Sequence, residues 1–383
     1  MDVDPHMNPI PFHRPTLAPG QLENVEQALR SGTLAGDGPF GRRAEALLRE
    51  ATGCQTVLLT TSCTHALEMI AILLDAPPGS EVIVPDFSYV STANAFLTRG
   101  LTPVFADIDP DTLNLSPDAT RAALTERTVA VVAVHYGGVA CDMAALGALC
   151  EDHGVTLIED NAHGLLGSWN ERPLGTIGAL GALSFHETKN FTCGEGGALM
   201  INEEALRERA EIIREKGTDR TRFFRGETNR YTWVDTGSSY VLSDVLASIL
   251  CAQLEHAGVI QDRRERAWSH YRSALAPWAE AAGVRLLPVP EYATPSHHLM
   301  GLLMPDAHGQ HALIAHLAER GVAATFHFQP LHASAMGAHL GWQPGACPVS
   351  VDAAARLVRL PLHAELSDSD LERVVKAVGE YEA

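Results

Sequence analysis

The sequence of 383 residues is poor in basic side chains. Lys and Arg total 28 against 47 Asp and Glu, a formal net charge of -19. A nucleic-acid binder needs a basic face to meet phosphates, so this balance argues against that class. Zinc-type spacing is missing as well. The seven cysteines (Cys54, Cys63, Cys141, Cys150, Cys193, Cys251 and Cys347) include no C-x-x-C pair. Their odd number points to reduced thiols rather than a disulfide frame. No apolar run reaches the ~18 residues a membrane span needs. The acidic start, Met1-Asp2-Val3-Asp4-Pro5-His6, has no hydrophobic signal core. The expectation is a cytoplasmic protein with neither nucleic-acid nor membrane partners. No metal site is expected either. Asp107-x-Asp109-x-Asp111 starts like a calcium loop, but Thr112 stands where the glycine belongs and Pro110 interrupts it. There is no H-E-x-x-H.

What is present is ordinary globular composition, 46% hydrophobic and 20% charged. The length suits one large and one smaller domain, which we divide as 1–260 and 261–383. Helical patterns over 20–31 and 41–52 flank a Gly-rich loop. Its Gly36, Gly38 and Gly41 form a formal G-x-G-x-x-G, but no strand precedes it and Pro39 sits inside it, so it reads as a plain loop. Strand and helix patterns then alternate. Strands are predicted at 57–59, 81–84, 103–106, 129–134 and 155–158, with helices at 64–74, 90–99 and 143–153. That alternation implies an α/β domain with a mostly parallel sheet. Short strands at 182–185 and 197–201 suggest a hairpin-like return. A helix follows over 243–256. The last third predicts strands at 284–287, 299–303 and 323–328, a helix at 310–320, and a final helix opened by Ser367 with Asp370 as its capping-box partner.

Four segments carry candidate chemistry. Leu157-Ile158 leads into Glu159-Asp160 at the C-terminal end of a predicted parallel strand, where open α/β sheets bind ligands. A helix cap is the plainer use of such carboxylates. Lys189 follows a strand in Ser184-Phe185-His186-Glu187-Thr188-Lys189-Asn190, ahead of Gly194-Glu195-Gly196-Gly197. Spacing alone also permits a surface lysine. Thr60-Thr61-Ser62-Cys63-Thr64-His65 is a hydroxyl-rich turn before a helix, suited to a phosphate or to plain N-capping. Tyr89, in Pro85-Asp86-Phe87-Ser88-Tyr89, offers a ring for a flat ligand or for the core. Together the four fit pyridoxal phosphate (PLP), which needs a lysine, a carboxylate for its pyridine nitrogen and a phosphate cradle.

Glu159-Asp160-Asn161-Ala162-His163, Ser184-Phe185-His186-x-x-Lys189-Asn190 and Gly194-Glu195-Gly196-Gly197 resemble the DegT/DnrJ/StrS family of nucleotide-sugar aminotransferases. The likeness runs from Pro11-Phe12 to about Pro361-Leu362-His363. Ser184-Phe185-His186-Glu187-Thr188-Lys189-Asn190 and the run from Phe223-Phe224-Arg225-Gly226 to Tyr231-Thr232-Trp233-Val234-Asp235 further resemble the TDP-4-keto-6-deoxyglucose 4-aminotransferases. The resemblance implies PLP fold type I, with a large mixed-sheet domain and a small C-terminal α/β domain. It also implies a homodimer whose site lies between subunits, with L-glutamate and a nucleotide-linked keto sugar as substrates.

By the same resemblance, Lys189 carries the cofactor and moves protons, and Asp160 pairs with the pyridine nitrogen. His163 meets the ring hydroxyl. Ser62, Cys63 and Ser184 hold the phosphate, and Tyr89 stacks on the ring. His186, Glu187 and His327 fall on substrate-side segments, although a structural role for His327 stands beside that reading. Apart from the resemblance, Arg220, Arg222, Arg225 and Arg230 form a basic stretch that reads as a clamp on a nucleotide diphosphate or equally as a solvated loop. Ser239 occupies the place of an asparagine that reaches the neighbouring subunit's phosphate, and Val241 replaces a frequent arginine. Relatives that dehydrate sugars carry His in place of the lysine, so Lys189 favours transamination.

Overall fold

The computed structural model describes residues 8–382. The acidic start at Met1–His6 lies outside them. The strands, in chain order, are β1 (Thr56–Thr60), β2 (Glu81–Pro85), β3 (Thr102–Ala106), β4 (Thr128–Val134), β5 (Thr156–Asp160), β6 (Ser168–Trp169), β7 (Arg172–Pro173), β8 (Leu180–Ser184), β9 (Gly197–Ile201), β10 (Arg285–Leu286), β11 (Ala293–Thr294), β12 (Met300–Leu303) and β13 (Leu357–Leu360). The helices are α1 (Gln21–Ser31), α2 (Pro39–Thr52), α3 (Cys63–Leu73), α4 (Ser91–Leu97), α5 (Pro117–Ala123), α6 (Met143–His153), α7 (Arg207–Arg214), α8 (Arg220–Phe224), α9 (Asp244–Glu255), α10 (Ala257–Ala281), α11 (Ala307–Glu319), α12 (Ala335–His339), α13 (Pro348–Arg356) and α14 (Asp368–Gly379).

Seven strands form one sheet in the order β1-β9-β8-β5-β4-β2-β3. The β3, β2, β4, β5 and β8 strands run parallel, and β9 pairs antiparallel with both β8 and β1. The expected hairpin-like return is this β8–β9 pair. The sheet is buried on both faces. Val131, Ala133 and Ile83 pack on one side with α6, while Val82, Val84 and Val132 pack on the other with α3 and α4. Two covered faces explain why these strands read as continuous apolar runs rather than as alternation. A smaller antiparallel sheet, β10-β12-β13, packs against α10, α11 and α14. The capping box at Ser367 and Asp370 forms as expected. Among the described residues, no helix is long and apolar enough to cross a membrane.

Three expectations need correcting. Residues 323–328 do not form a strand. Only Thr325 pairs, with Arg359, and the chain then turns His327 and Phe328 into a cavity. The stretch after 256 is a 25-residue helix, α10, that the pattern missed. Residue 260 therefore lies inside a helix. Ile260 packs with α1, α2 and α9, whereas Ala267, Tyr271 and Leu275 pack with the C-terminal cluster. That cluster also takes in Ile10 from the N-terminal segment. Finally, the second helix begins at Pro39, inside the Gly-rich segment. Its first amides, Phe40 N and Gly41 N, donate to the Asp244 carboxylate at 3.3 and 2.7 Å. A Cβ on Gly38 would lie 2.3 Å from that carboxylate. The glycines thus admit an anchoring side chain from α9 to a helix N-terminus, where a negative charge is favourable.

The Asp107–Asp111 run is also committed to structure. Asp109 Oδ1 accepts from Thr112 N at 2.8 Å, and Asp107 accepts from Val349 N and Ser350 N at 2.9 Å each, holding the start of α13. Asp86, His332 and Cys347 form a fully buried cluster. In it, Asp86 Oδ2 lies 2.7 Å from His332 Nδ1 and Asp86 Oδ1 accepts from His332 N at 2.7 Å. This clasp ties the 326–332 segment to the end of β2.

Glu159 is the deepest polar anchor. It is fully buried and accepts from His135 Nε2 at 2.9 Å and from the backbone amides of Gly175, Ile177 and Gly178 at 2.6–2.7 Å. Burial alone would raise its pKa. The hydrogen bonds from His135 and the glycine amides outweigh it and hold the carboxyl below its usual 4.5. A depressed carboxylate stabilises the fold fully above its unfolded-state pKa and loses that contribution as pH falls through the folded value. Glu159→Gln should therefore cost about 3 kcal/mol or more at neutral pH. In denaturant unfolding series, the gap to wild type should narrow below the usual carboxyl value of 4.5.

Candidate active site

Strand directions place one cavity of about 590 Å3 beyond the C-terminal ends of β2, β5 and β8, where an open α/β sheet leaves a crevice. Its walls come from the N-terminus of α3, the turns after β2, β5 and β8, and the segments around His298, His327 and Arg359.

Asp160 follows Glu159 on β5, so the pleat sends the two carboxylates to opposite sides. Asp160 enters the cavity and is 5% exposed. Thr92 Oγ1 donates to its Oδ2 at 2.8 Å and Ala162 N to its Oδ1 at 3.2 Å. Burial pushes its pKa up, against the pull of those two donors and of Lys189. Lys189 lines the same cavity, its backbone N donating to His186 O at 2.9 Å. Among the described residues no carboxylate lies within ion-pair distance of its amine. Burial lowers its pKa, and Cys63 and Asp160 counter it in part.

The hydroxyl-rich turn does two things at once. Ser62 caps α3, its side chain accepting from His65 N at 3.1 Å. Ser62, Cys63 and Thr64 also line the cavity, so the first-turn N–H groups, which no helix satisfies internally, sit at its wall. The β9 strand passes close behind. A Cβ on Gly197 would fall 2.3 Å from Ser62 C, which explains a glycine there. Ser184, at the end of β8, faces the same space.

His163 receives Gly137 N–H on its Nδ1 at 3.3 Å. That leaves the proton on Nε2 as a donor. Burial, with Lys189 and His327 nearby, holds its pKa well below the ordinary range. His327 lies against Tyr136 OH at 3.0 Å, and burial pushes it down to about 2. Tyr89 is 62% exposed at the rim, its ring 6.3 Å from that of Phe328.

Lys189, Asp160, His163, Ser62, Cys63, Ser184, Tyr89, His186 and His327 are thus brought together. Glu187, Ser239, Arg220 and Arg225 are not among the lining residues. Glu187 points to solvent. Arg225 is held by Glu211 and Glu227, both at 2.7 Å, and Arg220 lies 3.6 Å from Glu215 and over the Phe224 ring. Within one chain, then, Arg220 and Arg225 are each paired with neighbouring glutamates. Sequence reasoning missed Arg359 and His298, and it passed over Thr92 as a ligand of Asp160. Arg359 did leave a signal, a lone charge in the apolar run Leu357-Val358-Arg359-Leu360.

The donor set fits PLP. It combines a buried carboxylate that lacks a cation, an amine of lowered basicity, a helix N-terminus with free amides, and a ring N–H donor. A raised Asp160 pKa means that its ionised form is a burden at neutral pH, lost only as pH falls. Asp160→Asn should thus leave the cofactor-free protein melting no lower than wild type, while PLP affinity, read by absorbance titration, drops about tenfold or more.

A family model described as the DegT/DnrJ/EryC1/StrS aminotransferase family matches residues 15–379. The spore coat polysaccharide biosynthesis protein SpsC of Bacillus subtilis (strain 168) is 31% identical over 377 residues, covering 96% of this chain and 96% of its own. The solved structure of the aminotransferase TlmJ from Streptoalloteichus hindustanus superposes with a TM-score of 0.89 at 34% identity, over 97% of this chain and 98% of that one. The sugar aminotransferase CalS13 from Micromonospora echinospora gives a TM-score of 0.87 at 25% identity, over 97% and 99% of the two chains.

Proposed function

The chain belongs to the DegT/DnrJ/EryC1/StrS aminotransferase family and is a PLP-dependent sugar aminotransferase of fold type I, and on that premise we propose that it moves an amino group from L-glutamate to C4 of TDP-4-keto-6-deoxy-D-glucose. The observation that carries this reading is the placing of Lys189 and Asp160 in one cavity, beside the hydroxyl-lined start of α3. The choice of sugar rests on the likeness of Ser184–Asn190 and Phe223–Asp235 to the 4-aminotransferase subgroup.

When bound, PLP supplies an electron sink for the pair left as a Cα–H bond breaks. The residues divide the remaining work. Lys189 holds the cofactor and, once its amine is free, carries the proton to and from the substrate carbon. Its lowered pKa suits that task, because a base works best near the working pH. Asp160 keeps the pyridine nitrogen protonated. His163 presents its Nε2–H to the ring hydroxyl. Ser62, Cys63, Thr64 and Ser184 take the phosphate, and Tyr89 covers the ring. Arg359 is the one arginine among the lining residues, and no carboxylate pairs with it among the described residues. Its Nε and Nη2 donate to Phe326 O at 3.3 and 3.1 Å, which orients the fork. It receives a carboxylate of the glutamate donor.

The working unit in this reading is a homodimer in the cytoplasm. Phe224, Tyr231 and Trp233 are 69%, 51% and 78% exposed in the single chain. A second copy would cover such a patch, and Ser239 and the Arg220–Arg225 segment would then approach the partner's substrate.

Incubation with PLP, L-glutamate and TDP-4-keto-6-deoxyglucose should yield an amino-sugar nucleotide by mass spectrometry, and Lys189→Ala should abolish it, a loss of at least roughly 10²–10⁴-fold. Glutamate converting the cofactor to its amine form without a sugar product would reject this sugar. Absence of that conversion would reject glutamate.

A further inference from the structure

His298 precedes the buried strand β12 and is half-exposed to the cavity. Its ring stacks on His163 with centroids 4.2 Å apart and planes 18° apart. The proton on this ring can be located from its neighbours. Asn190 Nδ2 donates to Ser296 O at 2.7 Å, so the amide of Asn190 has only one sensible orientation. Turning it over would set two carbonyl oxygens against each other. Its Oδ1 therefore faces His298 Nδ1, 2.8 Å away, and can only accept. Nδ1 must carry the hydrogen, and Nε2 keeps a bare lone pair.

The surroundings keep that lone pair free. Burial first, then His163, Lys189, Arg264 and Arg359, hold the ring well below the usual imidazole range, so it stays neutral. Among the described residues Nε2 has no hydrogen-bond partner, and it is not a sealed atom. The cavity thus presents a fixed acceptor beside a fixed donor, His163 Nε2–H.

Each group that enters the cavity can be matched to those two poles. The cofactor brings an anionic phosphate and a ring oxygen, both of which ask for donors. An amino-acid donor brings carboxylates, which a lone pair repels, and one amino group, which the reaction commits to the cofactor. A sugar brings hydroxyl groups, which donate. We propose that His298 Nε2 accepts a hydrogen bond from a hydroxyl of the keto sugar, making it a specificity residue of the acceptor half-reaction, positioned by Asn190. The inference rests on the sugar-aminotransferase reading above, which assigns the second substrate.

The test separates the half-reactions by following the absorbance of the bound cofactor, with TDP-4-keto-6-deoxyglucose and L-glutamate as probes. His298→Phe keeps a flat ring on His163 but removes the acceptor. It should raise the KM for the keto sugar roughly tenfold, with a far smaller change in the rate with glutamate. His298→Gln, which restores an acceptor oxygen, should recover much of the loss. Equal falls in both half-reactions would overturn the inference and make His298 a structural support of His163. An unchanged KM in His298→Phe would overturn it too. Wild-type protein that reacts with glutamate but with no keto sugar would instead overturn the underlying reading, and this inference with it.

Discussion

At the end of β5 two carboxylates stand one residue apart and face opposite sides of the sheet, and most of the site depends on that alternation. Glu159 is tied to His135 and to three backbone amides of the 175–178 turn. It has no freedom left, which makes the strand end rigid. Asp160 inherits that rigidity while remaining short of partners. Its two hydrogen bonds, from Thr92 and Ala162, are fewer than a buried carboxylate needs. One carboxylate is satisfied so that its neighbour can be held unsatisfied in a fixed place. Electrostatic preorganisation of this kind uses folding energy to aim a charge at a ligand.

The same division runs through the other charges of the cavity. Lys189 and Arg359 are its cations without carboxylate partners, while His163, His298 and His327 are all kept neutral by burial and by those cations. Neutral imidazoles matter because each then has one donor and one acceptor nitrogen, set by what its other nitrogen meets. Gly137 N–H fixes His163 as a donor, and Asn190 Oδ1 fixes His298 as an acceptor. Charged imidazoles would all have been donors, and the cavity would have lost the acceptor that the proposed hydroxyl contact needs.

The parts of this site that could be read from sequence are those borne on local patterns. The turns at Ser62, Tyr89, Asp160 and Lys189 each follow the apolar run of a strand, so their place at the sheet's edge followed from strand direction alone. The alternation of β2 to β5 with α4 and α6 was legible for the same reason, while the short α5 was not. What escaped was set by tertiary packing. α10 has a mixed surface because it packs with two hydrophobic clusters in turn, so no single apolar stripe marks it. β13 is four residues long and carries Arg359 at its centre, which broke the pattern that would have announced a strand. The extended 323–328 stretch looked like a strand by composition, yet it pairs at only one residue, because its side chains serve the cavity rather than a sheet face. His298 could not have been singled out among 18 histidines, since its meaning lies in an amide orientation decided by Ser296.

A shared site for two unlike substrates faces a physical conflict. In the proposed reaction the amino-acid donor is small and carries two carboxylates, whereas the acceptor is a larger, nucleotide-linked sugar. A pocket optimised for either would exclude the other. In the proposed reading the conflict is reduced by placing the two recognition groups on different elements, Arg359 within β13 and His298 two residues ahead of β12. Met300 pairs with Leu360 across the small sheet, so the two side chains are carried by neighbouring strands of one rigid unit. That unit is fastened to the large sheet at the 326–332 segment by the Asp86–His332 clasp. On the proposed reading, a carboxylate and a hydroxyl then meet groups carried at a set spacing by that unit.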